Sequence, residues 1–207
     1  MQNILKNFLF FFLLVSSASA NTLKEKIQTV EQRYQSITSL SAHFTQQTYV
    51  ELLEKTIERK GKLDYKKDGK IRIEYFSPSP KIYITSGNML WVYVPGEPES
   101  LMEQELSDDI VPKEALSFLG GFGKLTKEFR AALSSEFKNQ LKEPGRFALH
   151  LTPHSKKSPY HSLDALFTDE GLMKQLILNN KSGNKTVYFF SNIVTNKKLD
   201  ETFFSRP

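Results

Sequence analysis

The 207-residue chain contains no cysteine. Small exported proteins often lean on disulfides; this one must be held together by its core alone. The missing thiol also removes cysteine nucleophiles, thiolate metal centres and the acyl-accepting cysteine of a lipid-modified exported protein. Histidine is scarce, at four, and Trp91 is the single tryptophan. Beyond the N-terminus no run is apolar enough to cross a bilayer as a helix. Charge of one sign is not gathered into a stripe either. The formal net charge is only +5, and lysines such as Lys60, Lys62, Lys66, Lys67, Lys156, Lys157, Lys197 and Lys198 are dispersed. With no recognition motif present, nucleic acid is not an expected partner.

What is there begins with MQNILKNFLFFFLLVSSASA. One lysine, an apolar run from Phe8 to Val15 and the small residues Ala18-Ser19-Ala20 have the form of a secretory signal with an A-x-A cleavage site. The apolar run is too short to span a bilayer. The expectation is therefore a cleaved signal over residues 1–20 and one exported, soluble domain over residues 21–207. Lys6 is the only charge in residues 1–20, so the remainder carries +4 against +5 for the whole chain.

Motifs for chemistry fall short. Gly120 to Lys124, GGFGK, has Phe118 and Leu125 where a phosphate-binding loop needs glycine and a hydroxyl. His150 and His154 have the spacing of zinc ligands on a helix, but Pro153 interrupts and the local pattern is a strand. His161, Ser162 and Asp164 supply the residue types of a hydrolase triad. Neighbours on one strand point to opposite faces, however, and no G-x-S-x-G elbow is present. Asn180-Lys181-Ser182 and Asn184-Lys185-Thr186 match a glycosylation pattern too short to be specific. No catalyst, metal or cofactor is expected.

Periodicity organises the rest. Leu23, Ile27, Val30, Tyr34 and Ile37 share one face of an amphipathic helix with Thr22 at its N-cap. From Phe44 onward the period is two. IERKGKLDYKKDGKIRIEYF reads as two strands joined at Asp68-Gly69, a pair suited to a tight primed turn, with Ile71, Ile73 and Tyr75 on one face and Arg72 and Glu74 on the other. Val111 to Gly123 reads as a helix carrying Leu116 and Leu119, started by Pro112. Lys124 to Lys142 has no decisive period. RFALHLTP, YHSLDALFTD, GLMKQLILNN and KTVYFFSNIV are strands separated by turns. The fold class expected is α+β, mainly β: a strongly curved antiparallel sheet with helices on one side.

KIYITSGNMLWVYVPGEPE, from Lys81 to Glu99, poses the sharpest question. It has the form of a hairpin about Ser86-Gly87-Asn88. A sheet with one wet face alternates apolar and polar residues. Here Ile82, Ile84, Leu90, Val92 and Val94 occupy one parity and Tyr83, Met89, Trp91 and Tyr93 the other, so both faces need cover. Pattern alone does not separate a filled core from a cavity.

Four pieces, in order, resemble the periplasmic outer-membrane lipoprotein carrier family of the LolA type. LSAHFTQQT (Leu40 to Thr48) is similar to its A-x-F-x-Q strand. KKDGKIRIEYFSPSPKIYITSGNMLWVYVP is similar to its K-R-P-x-x-F-x-W-x-Y…P…S-D-G-x-x-L-W-x-Y-x-P run. ALSFLGGFGKLTKEF resembles L-L-x-G-x-G-x-L, and GNKTVYFFSNIVTNKKLDETFFSRP resembles the family's finish. The resemblance implies an incomplete antiparallel barrel of about ten or eleven strands with an α-helical lid over an apolar cavity. It implies a monomeric periplasmic carrier that takes acylated lipoproteins from an inner-membrane transporter to an outer-membrane acceptor. One face of the hairpin would then be wall, and the other would meet lid or lipid. Ile71, Ile73, Tyr75, Tyr83 and Trp91 become the expected wall, and Leu116 and Leu119 the expected lid. The family's latch arginine falls on Lys67, followed by Asp68 rather than proline; lysine lacks the planar fork of arginine, so the latch is expected to be looser. The other readings are a carrier or sensor of amphiphiles such as glycolipids on the same fold, and a lipid hydrolase, which lacks a nucleophile motif.

Overall fold

The computed structural model describes residues 22–106 and 125–207. The expected signal, the expected helix Val111 to Gly123, and with it Leu116 and Leu119, lie outside the described residues.

Helix α1 (Leu23–Gln35) starts as its sequence dictates. The Glu25 N–H donates to Thr22 Oγ1 at 3.3 Å and the Thr22 N–H donates to Glu25 Oε2 at 2.6 Å, a reciprocal capping box. Of the apolar stripe, Val30, Tyr34 and Ile37 are buried, and Leu23 and Ile27 are half-buried. This face binds the helix to a single antiparallel sheet.

The sheet has eleven strands: β1 (Ser39–Val50), β2 (Lys55–Lys66), β3 (Lys70–Ser77), β4 (Lys81–Ser86), β5 (Met89–Val94), β6 (Glu97–Glu105), β7 (Phe129–Leu133), β8 (Arg146–Pro153), β9 (Tyr160–Thr168), β10 (Met173–Asn180) and β11 (Lys185–Thr195). Their spatial order is β6-β5-β4-β3-β2-β1-β11-β10-β9-β8-β7, so two meanders meet where β1 pairs with β11. The terminal strands β6 and β7 are not neighbours, and the barrel is incomplete. Within the undecided stretch Lys124 to Lys142 lie the four-residue α2 (Leu125–Glu128), the short β7 and a 3-10 turn Gln140–Lys142.

Turn length settles which side chains share a face. β2 and β3 pair Lys66 with Lys70, so their connection is the three residues Lys67, Asp68 and Gly69 rather than a two-residue turn. Asp68 and Gly69 both take the left-handed region, at φ 84° and 79°, which is the conformational reason for that pair. Gly87-Asn88 does form a two-residue turn, pairing Ser86 with Met89. Across it parity flips: Ile84 faces Trp91, Ile82 faces Tyr93, and Tyr83 faces Val92.

The hairpin's two faces are thus Ile82, Ile84, Met89, Trp91 and Tyr93 on one side and Tyr83, Thr85, Leu90 and Val92 on the other. The first set has an unforeseen cover. Phe204, with Leu199, packs on Ile82, Ile84 and Trp91 from the outer surface of the sheet. It is carried there by a 3-10 segment, Glu201–Phe204, capped by Asp200, whose carboxylate accepts from the Thr202 N–H at 2.9 Å. The main core lies on the inner face, where Phe44, Leu63, Tyr65, Ile71, Leu149, Leu151, Leu163 and Phe167 pack around Val30, Tyr34 and Ile37. A third cluster, Phe137, Ala148, Leu166 and Ile177, seals the outer face of the second meander.

Candidate functional site

The described residues do not fill the inner face along its whole length. α1 covers the end where β10 starts: the Tyr34 hydroxyl reaches the Met173 N–H at 3.4 Å, and Gly171 abuts the backbone of Thr29 and Val30. Toward the opposite end, where β1, β3 and β10 finish, the two meanders leave an apolar hollow of about 100 Å³. Phe44, Leu63, Ile73 and Tyr75 line it from the first meander, and Tyr160, Leu163, Leu176, Leu178, Tyr188 and Phe190 from the second. Leu63 and Phe190 also border a smaller void of about 20 Å³ against Tyr34 and Met173, which continues the hollow beneath the helix.

The lining is aromatic and locked edge to face. Phe44 meets Tyr75 at 5.4 Å and 81° and Tyr188 at 5.9 Å and 64°, and Tyr75 meets Tyr83 at 6.0 Å and 76°. The tyrosine hydroxyls are provided for within the wall. Tyr75 donates to Gln46 Oε1 at 2.9 Å, the Gln46 amide donates to Thr48 Oγ1 at 3.0 Å, and Thr48 and Thr186 share a hydrogen bond of 3.1 Å. Burial holds the Tyr188 phenol well above its ordinary pKa, and burial likewise raises Tyr75. Both stay neutral phenols, so the hollow presents hydrocarbon and uncharged oxygen.

Four of the sequence-predicted wall residues come together. Ile71, Ile73, Tyr75 and Tyr83 share the inner face, with Ile73 and Tyr75 in the lining and Tyr83 against Tyr75. Trp91 is on the outer face beneath Phe204 and does not join them, because the parity flip of the Gly87-Asn88 turn sends it there. Lys67 is exposed in the β2–β3 turn, its N–H donating to the Thr38 carbonyl at 2.8 Å. The lining from the second meander went unnamed in the sequence, although Leu176 and Leu178, and Tyr188 and Phe190, carry the period-two signal.

Around Lys67 the ionic contacts belong to its neighbours. Lys66 and Lys70 both bind Glu201, Lys70 at 2.6 Å, fastening the 3-10 segment to the outer face. Arg72 adds a hydrogen bond to the Phe203 carbonyl at 3.3 Å and lies 5.6 Å from the Phe203 ring. Hydrogen bonds from Lys66 and Lys70 hold the Glu201 carboxyl down at about 2. A depressed carboxyl contributes its stabilisation above its ordinary pKa and loses it as pH falls toward the folded value. An NMR titration should place the Glu201 midpoint near 2. In Lys66→Ala/Lys70→Ala it should return toward 4.5. An unshifted midpoint in that variant would show that the two lysines are not its partners.

Asp164 does not meet His161 or Ser162 as a triad. It accepts from Ser134 Oγ at 2.6 Å and lies 2.9 Å from His150 Nδ1, while Ser162 accepts from Asn179 at 3.1 Å. His154 turns instead to the Thr126 carbonyl, so His150 and His154 do not converge. Among the described residues no group of three metal-ligating side chains occurs. No helix among them is long and apolar enough to cross a membrane.

An aromatic hollow on the inner face of an open, eleven-stranded antiparallel sheet has the form of a site for an apolar ligand. A family model described as "Outer membrane lipoprotein carrier protein LolA" matches residues 35–207, and the chain belongs to that family. An outer-membrane lipoprotein carrier protein from Alkalilimnicola ehrlichii is 28% identical over 154 residues, covering 74% of this chain and 66% of its own. Another of the same name, from Nitrosospira multiformis, is 22% identical over 204 residues, covering 95% and 89%. The crystal structure of a LolA superfamily protein from Nitrosomonas europaea matches with a TM-score of 0.51 at 12% identity, over 89% of this chain and 98% of that one. That last likeness is one of fold.

Proposed function

We propose that the chain is a periplasmic carrier. Residues 1–20 direct export and are removed, and residues 21–207 act as a single monomeric domain. The inner-face hollow receives acyl chains of lipoproteins from an inner-membrane releasing transporter, and an outer-membrane acceptor takes them over. The observation that carries this reading is the hollow itself: apolar, aromatic-lined, and without an ionised group among the described residues of its wall.

Its size sets a condition. About 100 Å³ is well below the roughly 300–1,000 Å³ of ordinary ligand pockets, so the hollow as it stands does not take whole acyl chains. At about 0.8 kcal/mol per buried methylene, a chain held by only its last few methylenes would bind too weakly to keep a lipoprotein. Complete burial of two or three chains would instead exceed the ceiling near 20 kcal/mol for reversible binding. The working state lies between: the hollow widens on loading, and the work of displacing its cover opposes retention. Lys67, at the position of the family's arginine, is the proposed latch of the closed state, with Leu116 and Leu119 the proposed lid. Lys67→Leu, by lowering the work of opening, should release a bound diacylated peptide several-fold more slowly in stopped-flow measurements; an unchanged rate removes Lys67 from that role.

Purification from an envelope extract, followed by mass spectrometry of what stays bound, tests the proposal. Intact lipoprotein is expected. Free glycolipid would instead make the chain a carrier of other amphiphiles, and a cleaved lipid would point to an enzyme.

A further inference from the structure

Toward the tip of the β1–β2 hairpin, β2 runs on beyond β3, whose pairing ends at Lys60, while β1 stays paired with β11 as far as Tyr49. Tyr49 pairs with Thr56 and Val50 with Lys55, so the ladder runs to the tip, yet all ten residues from Glu51 to Lys60 are exposed. A hairpin apex in water is ordinarily built from glycine, asparagine or aspartate. This apex, a 3-10 turn over Glu51–Leu53, presents Leu52 at 92% exposure and Leu53 at 57%. One exposed leucine needs no explanation. Two adjacent ones at the foremost point of a projecting ladder, with Tyr49 and Ile57 exposed behind them, do.

The tip is held in place. The Glu51 N–H donates to Asn184 Oδ1 on the β10–β11 loop at 3.0 Å. On that loop the Lys181 ammonium donates to the Lys156 carbonyl at 2.9 Å, tying in the β8–β9 loop. These three loops form one end of the molecule, and it is basic: Lys55, Arg59, Lys60, Lys156, Lys157, Lys181 and Lys185 are exposed beside the carboxylates of Glu51, Glu54, Glu58 and Glu136, the last 3.6 Å from Lys185. Seven cations against four carboxylates leave a surplus of +3, most of the +4 that the chain beyond residue 20 carries. The hollow lies toward the same end, where Tyr160, Leu178 and Tyr188 sit near the strand termini.

We propose that this tip docks on an anionic lipid surface. Leu52 and Leu53 enter the interfacial layer of a bilayer, and the surrounding lysines and Arg59 face its phosphates, setting the hollow toward the membrane. Magnitude favours lipid over a protein partner. A specific protein interface buries about 800 Å² per partner in complementary relief, far more than a two-leucine apex offers. A bilayer needs no such relief, takes up apolar side chains in proportion to their area, and gains about 1 kcal/mol per nearby cation.

Flotation of the purified protein with vesicles tests this. With vesicles of phosphatidylglycerol and phosphatidylethanolamine in equal parts, the protein should float. With phosphatidylcholine alone it should float several-fold less, and added salt should weaken the former. Leu52→Glu/Leu53→Glu should lower flotation at least about ten-fold, whereas Leu52→Trp retains it. Absence of flotation with anionic vesicles, or equal flotation of the double variant, overturns the proposal. So does a leucine pair required only for capture of an envelope protein. Binding of a fluorescent fatty acid, measured in parallel, should be unchanged in the double variant. That arm reports on the hollow alone, so failure of the carrier reading and failure of the docking tip are read separately.

Discussion

Ile73→Asp is expected to abolish binding of a diacylated peptide while the protein remains folded. Ile73 lines the hollow from the middle of β3, opposite Leu63 on β2 and Tyr83 on β4. In the empty protein it is only half-buried, so an aspartate there keeps contact with water and the fold tolerates it. Loading strips that water away. A carboxylate taken out of water without a partner costs several kcal/mol, and none of the described residues lining the hollow carries a compensating cation. About 3 kcal/mol is already a loss of more than 100-fold in affinity. Displacement of a fluorescent acyl probe measures the loss, and circular dichroism reports whether the sheet survives. Undiminished binding would mean that acyl chains go elsewhere.

Gly61→Ala is the second large effect, and it acts through the wall rather than the ligand. Gly61 sits on β2 opposite Phe44, and a β-carbon there would lie 2.5 Å from Phe44 Cζ and nearer still to the Glu74 carbonyl oxygen. The glycine is what lets the Phe44 ring lie flat against the strand, and that ring is shared by the core and the hollow. One methyl must therefore move either a backbone carbonyl or an aromatic ring already locked against Tyr75 and Tyr188. Overpacking of this kind costs about 2–3 kcal/mol, which in a chain of this length lowers Tm by roughly 4–12 °C. Acyl-probe affinity should fall with it, because Phe44 is pushed into the space the ligand needs. A calorimetric Tm equal to that of the unsubstituted protein would show that the strands part without cost.

What could be foreseen from the residues, and what could not, divides along physical lines. α1 was legible because Val30, Tyr34 and Ile37 keep helical spacing and Thr22 with Glu25 makes a box that needs only local contacts. The strands were legible from alternation, and Ile71, Ile73, Tyr75 and Tyr83 met on one face because each alternates within its own strand. Trp91 was misjudged for a reason alternation cannot repair. A strand's period is local, but the phase between two strands is set by the number of residues in their turn, and Gly87-Asn88 reverses it. The cover over Ile82, Ile84 and Trp91 was invisible for a different reason: Leu199, Phe203 and Phe204 lie in an irregular segment, with no period to announce them. The hollow's second wall went unnamed because nothing in alternation says which of two apolar strands will stand apart from its neighbour across a cavity.

The parting of β6 from β7 bears on how much the proposed carrier could hold. In a ring of strands that closes on itself, girth is dictated by strand count and stagger, and its bore cannot change without breaking ladders. A hoop left unfastened is under no such rule. Its two rims move apart or together through small changes of twist shared among ten intact ladders. For the proposed carrier, capacity would then be elastic rather than fixed, and one and the same wall would accommodate passengers with differing numbers of tails.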